Sequence, residues 1–280
     1  MMRWLAAGVL AGVLGALVAF APAAWLARWV DDGTDGRLLL ADARGTLWSG
    51  SATPVLTGGA GSREASALPG RLQWRIGPGA LVGGAAPSGM SALSGLALLV
   101  RAEQACCLNG TLRLRVVPGF SGVSIELLPR EGGGAIGQWP ASWLSGLGTP
   151  WNTLQPEGTL QLESPGFTLQ AAGGRWRFSG RAAIDLDAFS SRLSTLDVLG
   201  SYHLVVAGDA ARGVPAGVTL TTTRGPLLLN GSGELLGSGA ALGLRFRGTA
   251  GAAPGQEGVL NNLLNILGRR QGAQTLISIG

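Results

Sequence analysis

Apolar and polar residues alternate with a period of two along most of the chain, the pattern of strands with one covered and one wet face. In 71–76, Leu72, Trp74 and Ile76 fall on one side and Arg71, Gln73 and Arg75 on the other. In 111–116, Leu112, Leu114 and Val116 oppose Thr111, Arg113 and Arg115; in 123–127, Val123, Ile125 and Leu127 oppose Ser124 and Glu126. The spacing recurs at Leu160 and Leu162, Phe167 and Leu169, Trp176 and Phe178, and Ile184 and Leu186. It continues at Tyr202, Leu204 and Val206, at Val218 and Leu220, and at Leu244 and Phe246. Gly, Pro, Asn or Ser clusters separate most of these runs. The pattern predicts a mainly β protein with an antiparallel, curled sheet, groove-like or sandwich-like, wet on one side.

Three segments depart from this pattern. Residues 4–27 carry no charge. As one helix of about 1.5 Å per residue they would extend ~36 Å, enough for a ~30 Å hydrocarbon layer. Trp4, Trp25 and Trp29 stand near the ends, where interfacial aromatics belong. Arg3 precedes the run; Arg28, Asp31, Asp32 and Asp35 follow it. This predicts a single transmembrane helix with its short N-terminus in the cytoplasm and the bulk of the chain in the periplasm. A cleaved signal peptide is the competing expectation, since Ala19-Phe20-Ala21 and Ala21-Pro22-Ala23 have small-residue cleavage spacing. Residues 139–147 place Trp139 and Trp143 four apart, with Leu144 and Leu147 on the same helical face and Pro140 in the first turn. Residues 257–268 align Leu260, Leu263, Leu264 and Leu267 on one helical face, with Gly268 as the stop. Thr275 to Ile279 is expected to return as a strand.

The resulting organisation is a tip and anchor over 1–30, a first β subdomain over 31–130, a Gly-rich and helical linker over 131–156, and a second β subdomain with a C-terminal helix over 157–280. Gly-Thr-Leu at Gly45, Gly110 and Gly158 is a weak internal echo, consistent with two similar β halves or one long sheet.

Composition narrows the chemistry. Only 13% of residues are charged and 48 of 280 are Gly, which suits many strands and tight turns and excludes disorder. All 21 basic residues are Arg, so a phosphate loop ending in Gly-Lys cannot exist here. His203 is the only histidine and Cys106 and Cys107 are the only cysteines, which removes Cys/His metal sites. Asp185 and Asp187 project from one strand face and are the only carboxylate pair considered for metal or proton chemistry; a solvated face is the plainer reading. A Ser-His-Asp arrangement would need His203 with Ser201 or Ser232, but Ser232 lies in Asn230-Gly231-Ser232-Gly233, which reads as a turn. Cys106 and Cys107 can join each other, pair with another chain or stay reduced. No catalytic, cofactor-binding or metal-binding residues are therefore assigned, and no enzyme is expected. The net charge of +5 is spread as arginines over polar strand faces; for an exported chain this does not point to nucleic acid.

Taken in order, several motifs carry a resemblance. They are the single apolar segment, then Ala43-Arg44-Gly45-Thr46-Leu47-Trp48-Ser49-Gly50, then Leu68-Pro69-Gly70 with Trp74. Gly148-Thr149-Pro150-Trp151-Asn152-Thr153-Leu154, Leu199-Gly200-Ser201-Tyr202, Arg224-Gly225-Pro226-Leu227 with Gly231-Ser232-Gly233, and Leu264-Asn265-Ile266-Leu267-Gly268-Arg269-Arg270 follow. In this order the chain resembles protein N of the bacterial type II, or general, secretion pathway. The resemblance implies a non-enzymatic inner-membrane component of the machine that exports folded proteins, with other secretion subunits as partners. It also implies a curled sheet similar to periplasmic lipid-handling grooves of the AsmA type, which makes lipid binding or transfer the alternative function. The adjacent Cys pair is not part of the family pattern.

Overall fold

A computed structural model describes residues 2–79, 97–119, 122–238, 241–272 and 274–279. Two helices open the chain, α1 (Met2–Ala19) and α2 (Ala23–Gly33). The first strands are β1 (Leu38–Gly45), β2 (Ser49–Thr57), β3 (Ala65–Ala67), β4 (Leu72–Gly79), β5 (Ala97–Glu103), β6 (Leu112–Gly119) and β7 (Gly122–Leu127). A short strand β8 (Gly137–Pro140), a 3-10 helix (Ala141–Leu147) and one turn of helix α3 (Trp151–Leu154) come next. Two 17-residue strands follow, β9 (Pro156–Ala172) and β10 (Arg175–Ser191). Then come β11 (Gly200–Gly208), β12 (Ala216–Arg224), β13 (Leu227–Ser238), β14 (Ala241–Ala252), α4 (Glu257–Leu267), β15 (Arg269–Gln271) and β16 (Gln274–Ile279).

The strands form one antiparallel sheet in the order β1-β2-β4-β5-β6-β7-β9-β10-β11-β12-β13-β14-β16-β15, with β3 on β2 and β8 on β9. Strand β7 pairs with β9 from Gly122–Ala172 to Leu127–Phe167, so the sheet runs without interruption from the first stretch of strands into the second. The predicted apolar sides share one face through the register. Trp74 faces Ala102; Ile76, Val100, Leu114, Leu127 and Phe167 form a cross-strand row; Ile184, Leu204 and Leu220 form another.

Helices cover that face at its two ends. Near the start, Ala23 and Leu26 of α2 pack on Leu40, Ala52, Trp74 and Ile76. Near the end, Leu260, Leu263 and Leu264 of α4 are buried with Phe189, Leu199, Tyr202, Leu227 and Ala250. The helical face expected at 257–268 is therefore the one that packs, and Gly268 is its C-cap. Between these ends Val100, Leu114, Val116, Ile125 and Leu169 are only half-buried.

Several expectations change. The 4–27 run is not one helix. It breaks after Ala19, because Pro22 has no N–H for a helical hydrogen bond and disfavours helix at the residue before it. The corner is held instead by a β-bridge between Pro22 and Thr46 and a hydrogen bond from Leu47 N–H to the Ala21 carbonyl, 2.7 Å. Eighteen residues of α1 extend about 27 Å, and among the described residues no helix is long and apolar enough to cross a membrane. Trp139 is not helical: Gly137 to Pro140 pair with Leu162 to Thr159 of β9, and a 3-10 helix begins only at Ala141. Arg269 and Arg270 do not simply trail α4 but form β15 against Leu276 and Thr275.

The Asn230-Gly231-Ser232-Gly233 motif is also not a turn. It lies inside β13, paired with Thr249, Gly248, Arg247 and Phe246 of β14. A Cβ at Gly231 would stand 2.5 Å from Cζ of Phe246, and one at Gly237 would stand 2.4 Å from Cβ of Trp176. Gly50 meets Trp74 in the same way at 2.6 Å. Much of the glycine excess thus sits within strands, where a bare backbone makes room for an aromatic ring.

Candidate assembly surfaces

Helix α1 presents a column of large apolar side chains to the outside: Val9, Val13, Leu17 and Val18 are more than half exposed and Trp4 85%, and Phe20, just past its end, is 78% exposed. Such a surface on a soluble protein needs a partner or a bilayer. Its inner end is fixed to the sheet. Trp48 Nε1–H donates to the Val18 carbonyl at 2.8 Å, and the Ile76 N–H in turn donates to the Trp48 carbonyl at 2.7 Å. Trp74 Nε1–H donates to the Leu47 carbonyl at 3.0 Å, which ties the β1–β2 turn to β4. Ala21 and Ala23 are buried at the corner. The Arg44-Gly45-Thr46-Leu47-Trp48 motif is therefore the socket that seats the N-terminal helix on the β domain. Gly45 has φ of +89°, and a Cβ there would meet the Ser49 carbonyl at 2.6 Å.

Ionic contacts trim the same end of the sheet. Asp42 accepts hydrogen bonds from Arg44 and Arg71, and these hold its carboxyl below the usual range. On the wet face, Arg115 pairs with Glu126 at 2.6 Å and Arg113 pairs with Glu131.

The candidate catalytic residues come together only in part. Asp185 and His203 are directly opposite on β10 and β11, with Asp185 Oδ1 2.5 Å from His203 Nδ1. Asp187 accepts instead from Gln161 Nε2 at 3.3 Å, so the two carboxylates serve different partners. Ser201 Oγ accepts the Ala188 N–H, and Ser232 lies in β13, two strands from His203. Neither serine completes a triad around the pair. Among the described residues no three His, Cys, Asp or Glu side chains converge to hold a metal.

Cys106 and Cys107 are joined to each other in the loop after β5. Their loop docks on the start of β8: the Gln138 N–H donates to the Cys107 carbonyl at 2.8 Å, and the Asn109 N–H to the Ile136 carbonyl at 2.9 Å. A polar cleft of about 340 Å³ opens where β3, the 3-10 helix, α3 and the start of β9 meet, lined by Glu64, Ser142, Ser145, Asn152, Glu157 and Arg192.

The alternation put Asp185 on a strand face but did not place it beside His203. The motif around Trp48 gives no sign that it donates to α1, because only the folded corner brings Val18 within reach.

The class of protein is thus an open antiparallel β sheet, capped by two helices on one face and carrying an exposed apolar helix at its start. Residues 36–278 match the model of the type II secretion system (T2SS) protein N family, and the chain belongs to that family. It is a component of the type II secretion machinery of the bacterial envelope. No curated protein and no solved structure matches the chain.

Proposed function

We propose that this protein is held in the inner membrane by α1 and presents its β domain on the periplasmic side, where it binds other secretion subunits without doing chemistry itself. The observation that carries this reading is the exposed apolar column of α1 combined with its rigid seating on the sheet through Trp48 and Leu47. At about 27 Å, α1 falls a few ångströms short of an average hydrocarbon layer, a deficit that local thinning and flanking Trp side chains offset at small cost. Contact with other subunits would use exposed sheet edges, such as β15 and the outer half of β16, where Ile279 is exposed.

The test is fractionation and co-purification of the full chain against a variant lacking residues 2–17. The intact chain should resist alkaline extraction from membranes and recover secretion subunits; the shortened chain should be released. Release of both, with no secretion subunit recovered by either, would sink the reading.

A second reading has its own observation. The half-buried row of Val100, Leu114, Val116, Ile125 and Leu169 lies between the regions that α2 and α4 cover, and it is apolar enough to take a lipid chain. Native mass spectrometry of the purified protein decides it: a chain that carries no lipid out of the membrane excludes this alternative.

A further inference from the structure

The wet face of the sheet carries an unbalanced pair of cations. Ser49, Arg75, Arg101 and Arg113 are directly opposite one another across β2, β4, β5 and β6, so their side chains leave the same face in one line. Like charges placed opposite on neighbouring strands repel. Most arginines nearby are neutralised: Arg113 by Glu131, Arg115 by Glu126, Arg71 by Asp42. Arg75 and Arg101 are both exposed, and among the described residues neither has an ion pair. Residues 80–96, which connect their strands, contain no Asp or Glu. Glu103, two residues from Arg101, accepts a hydrogen bond from Thr111 at 2.8 Å.

The position of this pair says what neutralises it. The row starts at Ser49, the residue after Trp48, and Trp48 donates to the carbonyl of Val18, one residue before the end of α1. Residues in register lie at one level along the strands, about 4.8 Å apart from strand to strand. Arg75 and Arg101 therefore stand one and two strands, about 5 and 10 Å, from the strand whose start lies beside the end of α1. If α1 occupies the bilayer, positions this close to its end are within reach of the headgroup layer. A guanidinium there meets phosphate oxygens, which it binds in a two-pronged geometry.

We propose that Arg75 and Arg101 bind the phosphate groups of anionic phospholipids at the foot of the β domain. The proposal rests on the membrane placement of α1 argued above. Its consequence is orientation: one helix leaves a domain free to swivel and tilt, whereas a helix plus a two-cation foot fixes which way the sheet faces.

The experiment uses the full chain reconstituted in phosphatidylcholine vesicles doped with brominated phosphatidylglycerol or brominated phosphatidylcholine, with quenching of the protein's tryptophans as readout. Quenching by the neutral brominated lipid tests α1; the ratio of the two tests the arginines. The wild type should favour the anionic lipid by roughly 25-fold at low salt, about fivefold for each arginine. The preference should shrink at high salt. R75Q/R101Q should lose most of it while keeping neutral-lipid quenching. R245Q/R247Q, which removes the same charge from β14, should keep it. No quenching by either lipid would remove the membrane placement and the proposal together. Neutral-lipid quenching with no anionic preference in the wild type would overturn the lipid assignment alone and favour an acidic protein surface. Equal losses in both double variants would reduce the effect to net charge and overturn it as well.

Discussion

The ring of Phe246 occupies the space that a side chain at Gly231 would need. A Cβ there would lie 2.5 Å from its Cζ, 2.7 Å from the carbonyl oxygen of Arg247 and 2.8 Å from Cα of Gly248. Phe246 is itself buried at 6% exposure. G231A should therefore destabilise the protein by about 1–3 kcal/mol, the range for overpacking. In an F246L background the added cost of G231A should fall, because the ring contact is gone and only the backbone contacts with the Arg247 carbonyl and Gly248 Cα remain. Denaturant unfolding of the four proteins in that cycle checks this. A cost that is unchanged in F246L would mean that the ring is not what fills the space.

Tyr202 is the only tyrosine, so phenolate absorbance reports on it alone. Its hydroxyl donates to the Leu227 carbonyl at 3.0 Å in the core beneath α4, and burial pushes its pKa well above the ordinary 10.0. The sign follows directly. Below pH 10 both folded and unfolded chains keep the proton, and the contribution of Tyr202 to stability is intact. Above pH 10 only the unfolded chain ionises, so stability falls as pH rises. Native protein should show no phenolate signal near pH 10, and that signal should appear together with loss of secondary structure at higher pH. Y202F should cost about 1 kcal/mol for the lost hydrogen bond and remove the effect.

Helix α4 separates two leucine-like positions cleanly. Leu263 is 1% exposed in the terminal core, whereas Ile266, turned toward the flank of the helix, is 44% exposed. L263A should cost about 2–5 kcal/mol by leaving a cavity, and I266A about 0.5 kcal/mol or less. Thermal or denaturant unfolding distinguishes them. Similar losses at both sites would mean that something covers Ile266.

A triple substitution tests the residual catalytic idea. D185N/D187N/H203N removes the only carboxylate–imidazole contact on the wet face. Secretion of folded substrates should continue at the wild-type rate once the protein is present at equal level in membranes. A loss of secretion at equal abundance would reopen chemistry at Asp185 and His203.

The faces of the strands were legible because side-chain period is a local property: the alternation around Trp74, Leu114 and Tyr202 fixes which residues share a side, whatever their neighbours. Other features needed the partner strand. Leu162 and Phe167 differ in parity, which hides the fact that both belong to β9; the register shift between Arg181 and Ala183 restores the common face. The glycines of β13 imitate a turn until Phe246 is seen opposite them. The charge-free run at 4–27 shows apolarity but not the corner, because the hydrogen bond from Leu47 to Ala21 joins residues that composition cannot relate. For the same reason the pairing of Asp185 with His203, and the alignment of Arg75 with Arg101, could not be read from either segment alone. The absence of a convergent catalytic motif, by contrast, was an expectation that rested on residue types alone, above all the single histidine.

The order of the strands has a consequence for how such a chain is made. With the short β3 and β8 set aside, every strand from β2 to β14 pairs with the one before it. No strand in that path waits for a partner later in the chain, so the sheet can grow one strand at a time, with the longest closure across residues 128–155, between β7 and β9. A chain that emerges from a pore N-terminus first would seat α1 and the β1–β2 socket at the outset. Each later strand would then cover the growing edge left by its predecessor, and α4 would close over Leu199, Tyr202 and Leu227 only when the last strands arrive. Assembly in the order of emergence covers each growing edge as the next strand arrives, which for a glycine-rich sheet of this width is a defence against aggregation during folding.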